Sequence, residues 1–320
     1  MTTSNILSQL GSPGVSTSFR NRIINGAMVI WQRGTSFSSP SFGSYTVDRF
    51  YNPSGATTSI SQSTNVPSGF RYSVSVSGNS GGSNGIAQRI ESYNCTDLAG
   101  QSVTISFWAL NSSGADNLQV ALYYANSQDT FSGITQIGST VVVSGSPSSS
   151  WTQYSTTFTS LPSGAANGLA LLIYRGSSAS STTLFTGVQL EVGTTATNFE
   201  VRSIGTELAL CQRYLPAFNG SNQFPSQADT TTSAYVSISF PVQTRVAPTG
   251  ITVNSLSNFS AWKANTTSAG NPTSITFNQA GVNTGVINPS GYGTGGLVAG
   301  NYSGFICGAS AQILFTGCEL

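Results

Sequence analysis

Short runs in which apolar and polar residues alternate follow one another along most of this chain. Phe70, Tyr72, Val74 and Val76 alternate with Arg71, Ser73 and Ser75, and Val103, Ile105 and Phe107 alternate with Thr104 and Ser106. A period of two sends successive side chains to opposite faces, so each run predicts a strand with one face buried and the other in water. The same reading assigns strands to Leu118–Tyr124, Thr140–Val143, Tyr154–Phe158, Leu169–Tyr174 and Leu184–Leu190. Turn-rich clusters at Asn79–Gly85, Gly145–Ser150 and Pro162–Gly168 separate them. Strands this short and this evenly spaced, with no helical repeat between them, predict an all-β fold, an antiparallel jelly-roll β-sandwich.

One stretch breaks the pattern. Thr206 as an N-cap, Glu207 in the first turn, Leu208, Cys211 and Leu215 at helical intervals and Pro216 as a stop predict a short helix between two β-modules. Alternation resumes at Val236, Ile238 and Phe240 and continues through Ile251–Val253, Ile275–Phe277 and Gln312–Phe315, which predicts a second, smaller β-domain. Gly281–Gly304 is glycine-rich, carries Tyr292 and Tyr302, and reads as loops. At the other end, a possible helix at Ser4–Leu10, a break at Gly11, Pro13 and Gly14, and then Ile23–Trp31 form an arm too small to bury a core of its own. The expected organisation is an arm over 1–44, a jelly-roll domain over 45–205 and a C-terminal β-domain over 206–320.

Composition narrows the chemistry. The 320 residues include no histidine, a single lysine and only 21 charged side chains, for a net charge of +1. With 33 aromatic residues, self-repelling disorder is excluded. Scattered basic residues argue against nucleic acid, which is held by clustered Lys and Arg. Met1–Leu10 lacks the basic and apolar regions of a classical export signal, and no apolar run approaches a membrane span, so neither export by that route nor membrane insertion is expected. Cys95, Cys211, Cys307 and Cys318 have no CxxC spacing and read as buried free thiols, Cys307–Cys318 being the one pairing to test. Without histidine, hydrolysis would need paired acids, and the ten carboxylates form no recognisable couplet. Glu91 and Glu191 are expected in salt bridges with Arg89 or Arg202, and no enzyme activity is expected. Asp48, Asp97, Asp116 and Asp129 are the residues that could ligate Ca²⁺, but no motif spacing supports a site, and no cofactor is assigned.

Several stretches resemble a family of phage virion proteins, chiefly tail fibre and other host-attachment proteins. They begin with Asn21-Arg22-Ile23-Ile24-Asn25-Gly26-Ala27-Met28, Gln32-Arg33-Gly34 and Tyr45-Thr46-Val47-Asp48-Arg49-Phe50. Ile86 to Glu91, Leu98 to Gln101 and Thr104 to Ala109 are similar to strands of carbohydrate-binding-module sandwiches. The exit carries the most specific part: Thr186 to Gly193, Phe199-Glu200 and Glu207 to Tyr214. Phe240-Pro241-Val242, Ala247-Pro248-Thr249 and Glu319-Leu320 resemble the C-terminal domains of such proteins. The resemblance implies a virion protein made in the host cytoplasm and placed on the tail, or alternatively on the capsid surface. It also implies contacts with other tail or baseplate proteins through the arm, a homotrimer, and a host-surface glycan as receptor.

The candidate glycan-binding residues are aromatics able to stack on a sugar ring: Trp262, Tyr292 and Tyr302 in the C-terminal domain, and Trp108. Trp108 either lines a sandwich face or packs beneath a neighbouring loop or strand. The expected role is a receptor-binding protein. The alternative is a capsid decoration or structural tail or baseplate component with no receptor.

Overall fold

The computed structural model describes residues 19–54, 58–78, 83–112, 117–176, 181–263, 268–293 and 296–320. The expected Ser4–Leu10 helix, Asp116 and part of the Asn79–Gly85 turn cluster lie outside them. The chain forms two compact units. Of the described residues, one contains Phe50–Val201 with Ser36–Thr46 and 19–29; the other contains Arg202–Leu320 with Ile30–Thr35 and Val47–Arg49.

The first unit is an antiparallel jelly-roll sandwich. One sheet runs Ser36–Ser38, Thr58–Ser63, Ser73–Gly78, Ser181–Val192, Val103–Asn111, Thr152–Phe158 in spatial order. The other runs Phe50–Tyr51, Asn84–Ile90, Leu169–Arg175, Leu118–Ser127, Thr130–Gln136, with Val141–Ser144 also paired to Leu118–Ser127. The alternation seen in the sequence supplies the core: Val74, Val76, Ile105 and Phe107 point inward from one sheet, and Ile86, Val120, Leu122, Leu171 and Ile173 from the other. Phe70 and Tyr72, expected to begin a strand, instead lie in the connection before Ser73–Gly78.

Residues 19–29, within the expected N-terminal arm, pack into this sandwich. Ile23 and Met28 are fully buried. The buried Gln88 side chain accepts from Ile24 N–H and donates to Ile24 C=O, both at 2.8 Å, and Arg22 N–H and Val188 N–H bond to the carbonyls of Leu190 and Gly26. A segment this apolar is more stable as part of a sandwich than in water.

In the second unit the helix spans Ile204–Gln212, and its cap is Ser203 rather than the expected Thr206: the Ser203 hydroxyl oxygen accepts from Thr206 N–H. A three-stranded sheet of Ala217–Asn219, Gln312–Thr316 and Gly250–Val253 accompanies a seven-stranded one. The large sheet runs Ser268–Gly270, Phe259–Lys263, Tyr302–Cys307, Asn222–Ala228, Ala234–Ser239, Thr284–Ser290, Ser274–Ala280. Its packed face contributes Val236, Ile238, Phe259, Ile287 and Phe305 to a core shared with Ile313 and Phe315 of the small sheet. Gly281–Gly304, read as loops, contains the strand Thr284–Ser290 and opens the strand Tyr302–Cys307. Ile287, Phe305 and Cys307 bury against that core and hold these glycine-rich stretches extended.

Charged residues act mainly as internal fasteners. Glu319 pairs with Arg33 (2.8 Å) and with buried Arg49, whose guanidinium also lies 3.4 Å from the centre of the Tyr214 ring. Arg49 takes a left-handed φ of 70°, a conformation that costs a non-glycine residue about 1–2 kcal/mol, so these contacts must outweigh that cost. Arg245 donates to the carbonyls of Cys318 (2.8 Å) and Glu319 (2.7 Å). Asp48 accepts from Gln32 Nε2 (2.7 Å) and Arg33; its burial raises the carboxyl above the ordinary value against the pull of Arg33. The Asp48-Arg49 and Gln32-Arg33 motifs are therefore parts of the second unit.

The four cysteines are buried free thiols, and burial pushes Cys95 and Cys307 up to about 12. A thiol-reactive dye at pH 8 is expected to label none of them in the folded protein and all of them after denaturation, because thiolate, not thiol, reacts; rapid labelling of Cys307 or Cys318 in the folded state would contradict their placement. Glu319→Ala leaves Arg49 buried without its carboxylate and is expected to destabilise the second unit by roughly 3 kcal/mol in urea unfolding. A loss below about 1 kcal/mol would show that the pair is not a fastener.

Candidate functional site

The unpacked face of the seven-stranded sheet brings two of the sequence candidates together. Alternation along Phe259–Lys263 and Tyr302–Cys307 turns Phe259, Ala261, Phe305 and Cys307 inward and leaves Trp262, Tyr302 and Gly304 on the other side. Trp262 stands directly opposite Gly304 in the ladder. A Cβ on Gly304 would lie 2.1 Å from Trp262 Nε1, so the missing side chain is the seat on which the indole lies. Tyr302, 56% exposed, meets the indole edge-on with ring centres 5.6 Å apart.

The neighbouring strands extend this pair across the sheet. Gly304 is also opposite Pro225, and Tyr302 is opposite Gln227, which faces Tyr235 on the next strand. Tyr235 is 43% exposed, and Gln223, Pro225, Gln227 and Ser237 are exposed on the same face. Asn288, half-buried one strand further on, donates its Nδ2 to Ala234 C=O at 3.1 Å, which leaves its side-chain oxygen as an acceptor. Lys263 is the one charged residue in the seven strands, and it stands opposite Ser303, whose buried hydroxyl bonds to Ser226 (2.8 Å) on the packed side. The strands therefore place two exposed tyrosines and a half-buried tryptophan with amides and hydroxyls on the unpacked face and no ionic group; exposed Asp229 follows at the end of Asn222–Ala228. Such a surface offers C–H stacking and hydrogen bonds to an uncharged polyol.

Tyr292 does not join it. Only 2% of the residue is exposed, and it packs with Ala228, Ala234, Ala261, Ala269 and Leu297 on the other side of the sheet. Four alanines from four strands leave a space that a large ring fills, so a turn-borne tyrosine became core. Trp108 lies in the other unit. It is half-buried on the outer side of its strand, opposite Gln153 and Thr186, where the sheet pairing slips between Thr186 and Gln189. There Gly187 adopts a φ of 63°, and the rings of Trp108 and Phe70 close over it, with Phe70 packed on Phe199 at 5.2 Å. The Asn65 side chain accepts from Trp151 Nε1 (3.0 Å), and Ser73 Oγ donates to Asn65 C=O (2.7 Å). Trp108 thus packs with Phe70 over Gly187 and stays partly exposed.

Several carboxylates have structural partners. Glu191 pairs with Arg20 (3.2 Å) rather than Arg202 and accepts from Thr197, while Arg202 pairs with Glu207 (3.4 Å). Glu91 accepts from Asn94 Nδ2. Asp97 pairs with Arg22 at 2.6 Å, and Asp129 accepts from the N–H and hydroxyl of Ser92. Among the described residues no three Cys, Asp or Glu side chains gather as metal ligands. Asp48, Asp97 and Asp129 are thus dispersed, and Asp116 lies outside the described residues.

Sequence reasoning missed Tyr235, Gln227, Pro225 and Asn288. A signal for Tyr235 was present: if Val236, Ile238 and Phe240 face the core, Tyr235 must face away.

No protein-family model matches the chain, and no curated protein matches its sequence. Among solved structures it is similar to the CBM22-1 xylan-binding domain of Paenibacillus barcinonensis Xyn10C, with 13% identity over 50% of this chain and 94% of that one and a TM-score of 0.34. The tandem CBM22-1-CBM22-2 domain of the same protein matches 88% of this chain and 100% of its own at 11% identity and a TM-score of 0.33. The enzymatically active domain of bacteriophage CBA120 tailspike protein 4 matches over 54% of this chain and 22% of its own, with 14% identity and a TM-score of 0.36. Likenesses this distant do not identify a function.

Gly304→Ala tests the seat of the indole. It is expected to displace Trp262, change the near-ultraviolet circular dichroism of the Trp262–Tyr302 pair and destabilise the unit by roughly 1–3 kcal/mol. An unaltered spectrum with unaltered stability would contradict this geometry.

Proposed function

We propose that the protein is a host-attachment component of a phage virion, a tail fibre or related receptor-binding protein, that holds an uncharged surface glycan on the unpacked face of its seven-stranded sheet. The observation that carries the reading is the pairing of Trp262 with Tyr302 over Gly304, on a face furnished with Gln223, Gln227, Ser237 and Asn288 and free of charge. Stacking rings supply contact area at little entropic cost, and amides beside them fix hydroxyl positions. The virion setting rests on the resemblance of the Asn21–Met28, Asp48–Phe50, Thr186–Gly193 and Glu207–Tyr214 motifs to phage attachment proteins. Binding rather than catalysis suits a site whose seven strands contain no histidine, aspartate or glutamate.

A shallow face of this kind binds weakly, with about 4 kcal/mol corresponding to a millimolar dissociation constant. Presentation of several copies raises avidity by ~10²- to 10⁴-fold. A homotrimer attached to other tail or baseplate proteins through its N-terminal residues would supply that multivalency.

The purified protein is expected to bind uncharged glycans on an array, and Trp262→Ala or Tyr302→Ala is expected to weaken binding by about tenfold or more without changing the melting temperature by more than a few degrees. Full retention of binding in both variants would remove this face from consideration. Antibody labelling of intact virions is expected at the tail; labelling confined to the head would favour a capsid decoration.

A further inference from the structure

We infer that the face recognises an oligosaccharide of two or more uncharged rings laid across the strands, with Tyr235 as the second stacking position; this rests on the glycan-binding reading above. Strand register sets the spacing of the two positions. Tyr302, Gln227 and Tyr235 lie on three successive strands and are paired directly, Tyr302 with Gln227 and Gln227 with Tyr235. Neighbouring strands are about 4.8 Å apart, so Tyr235 lies about 10 Å from Tyr302 along that row, and its strand about 14 Å from the strand of Trp262. A single hexose ring resting against Trp262 and Tyr302 does not reach Tyr235.

Between the two aromatic positions stands an amide. Gln227 is exposed and has both donor and acceptor atoms at its end, which suits hydroxyl groups near the link between rings. Pro225, opposite Gly304 in the adjacent row, continues the apolar floor from Trp262 toward the middle of the sheet. Beyond Tyr235, Asn288 and its ladder partner Thr276 carry the polar surface onward. Apolar ring faces thus alternate with hydrogen-bonding groups across four strands, which is the order of features along a linear glycan laid flat.

The absence of charge sets the sugar class. Lys263 belongs to the packed side, and no arginine lies in any of the seven strands. A carboxylate, sulfate or phosphate on the sugar would lose water on this face without gaining a cation, which is unfavourable. The ligand class is therefore a neutral oligosaccharide, and acidic sugars are excluded.

The test uses the full chain and a glycan array containing one- to six-ring series of neutral gluco-, galacto-, manno- and xylo-oligosaccharides together with uronic and sialic acid counterparts. Calorimetric titration of the series that binds follows, with wild-type protein, Trp262→Ala and Tyr235→Ala. Affinity is expected to rise by roughly tenfold or more between one and three rings and then level off. Tyr235→Ala is expected to bind the one-ring and three-ring ligands alike, Trp262→Ala to lose binding at every length, and the acidic counterparts to be rejected. If Trp262→Ala loses binding but affinity does not grow with length, or Tyr235→Ala retains that growth, the two-position inference is overturned and the glycan-binding reading stands. Preferential binding of acidic sugars overturns the assigned sugar class. If no glycan binds, both the inference and the reading on which it rests are overturned. Tyr235 is exposed, so its variant is expected to keep the wild-type circular dichroism spectrum.

Discussion

In the large sheet of the second unit the strands alternate apolar and polar residues and bury only one of their faces, and the arrangement of that unit follows from this. Its large sheet packs Val236, Ile238, Phe259, Ile287 and Phe305 against Ile313 and Phe315. The core is satisfied from one side, and the residues that alternate with it have nowhere to go but outward. In most antiparallel sheets that outer face carries charged residues. Here it carries Tyr302, Tyr235, glutamines and serines, and Gly304 provides a bare patch of backbone on which Trp262 lies. The surface is neutral because of how the strands are composed, and aromatic because one glycine gives an indole room.

The scarcity of charge has a second consequence. Asp48, Asp97, Glu191, Glu207 and Glu319 all pair with arginines, and several of these pairs are buried. Arg49 is the most enclosed, between the Tyr214 ring and the Glu319 carboxylate. Removing one member of such a pair is costly because the other stays behind in a poorly solvated place. The Gln32-Arg33 and Asp48-Arg49 stretches are in this light structural fasteners.

Much of this architecture was legible in the sequence. The alternation at Val103–Phe107 and Val236–Phe240 marks strands whose apolar residues the structure buries, although Thr104 and Ser106, expected in water, are buried as well. The glycine-rich stretch from Gly281 was not legible as strand, because glycine weakens a strand locally and only long-range packing of Ile287 and Phe305 holds it extended. Tyr292 misled for a related reason. Its burial depends on a gap left by Ala228, Ala234, Ala261 and Ala269, residues up to sixty-four positions away in the chain. Trp262 and Tyr302 were recognisable singly, but their contact required knowing that Phe259–Lys263 pairs with Tyr302–Cys307 and that Gly304 falls opposite the indole. Register between distant strands is the information a single sequence conveys least.

The most direct test of the central claim observes the indole itself. The protein has four tryptophans, Trp31, Trp108, Trp151 and Trp262, each giving one indole N–H signal in a ¹H–¹⁵N spectrum. On titration with a neutral oligosaccharide that the protein binds, the account expects the Trp262 signal to shift progressively to saturation while those of Trp108 and Trp151 stay in place. A spectrum in which Trp262 is unmoved and the Trp108 signal shifts would place the ligand on the jelly roll and contradict the account.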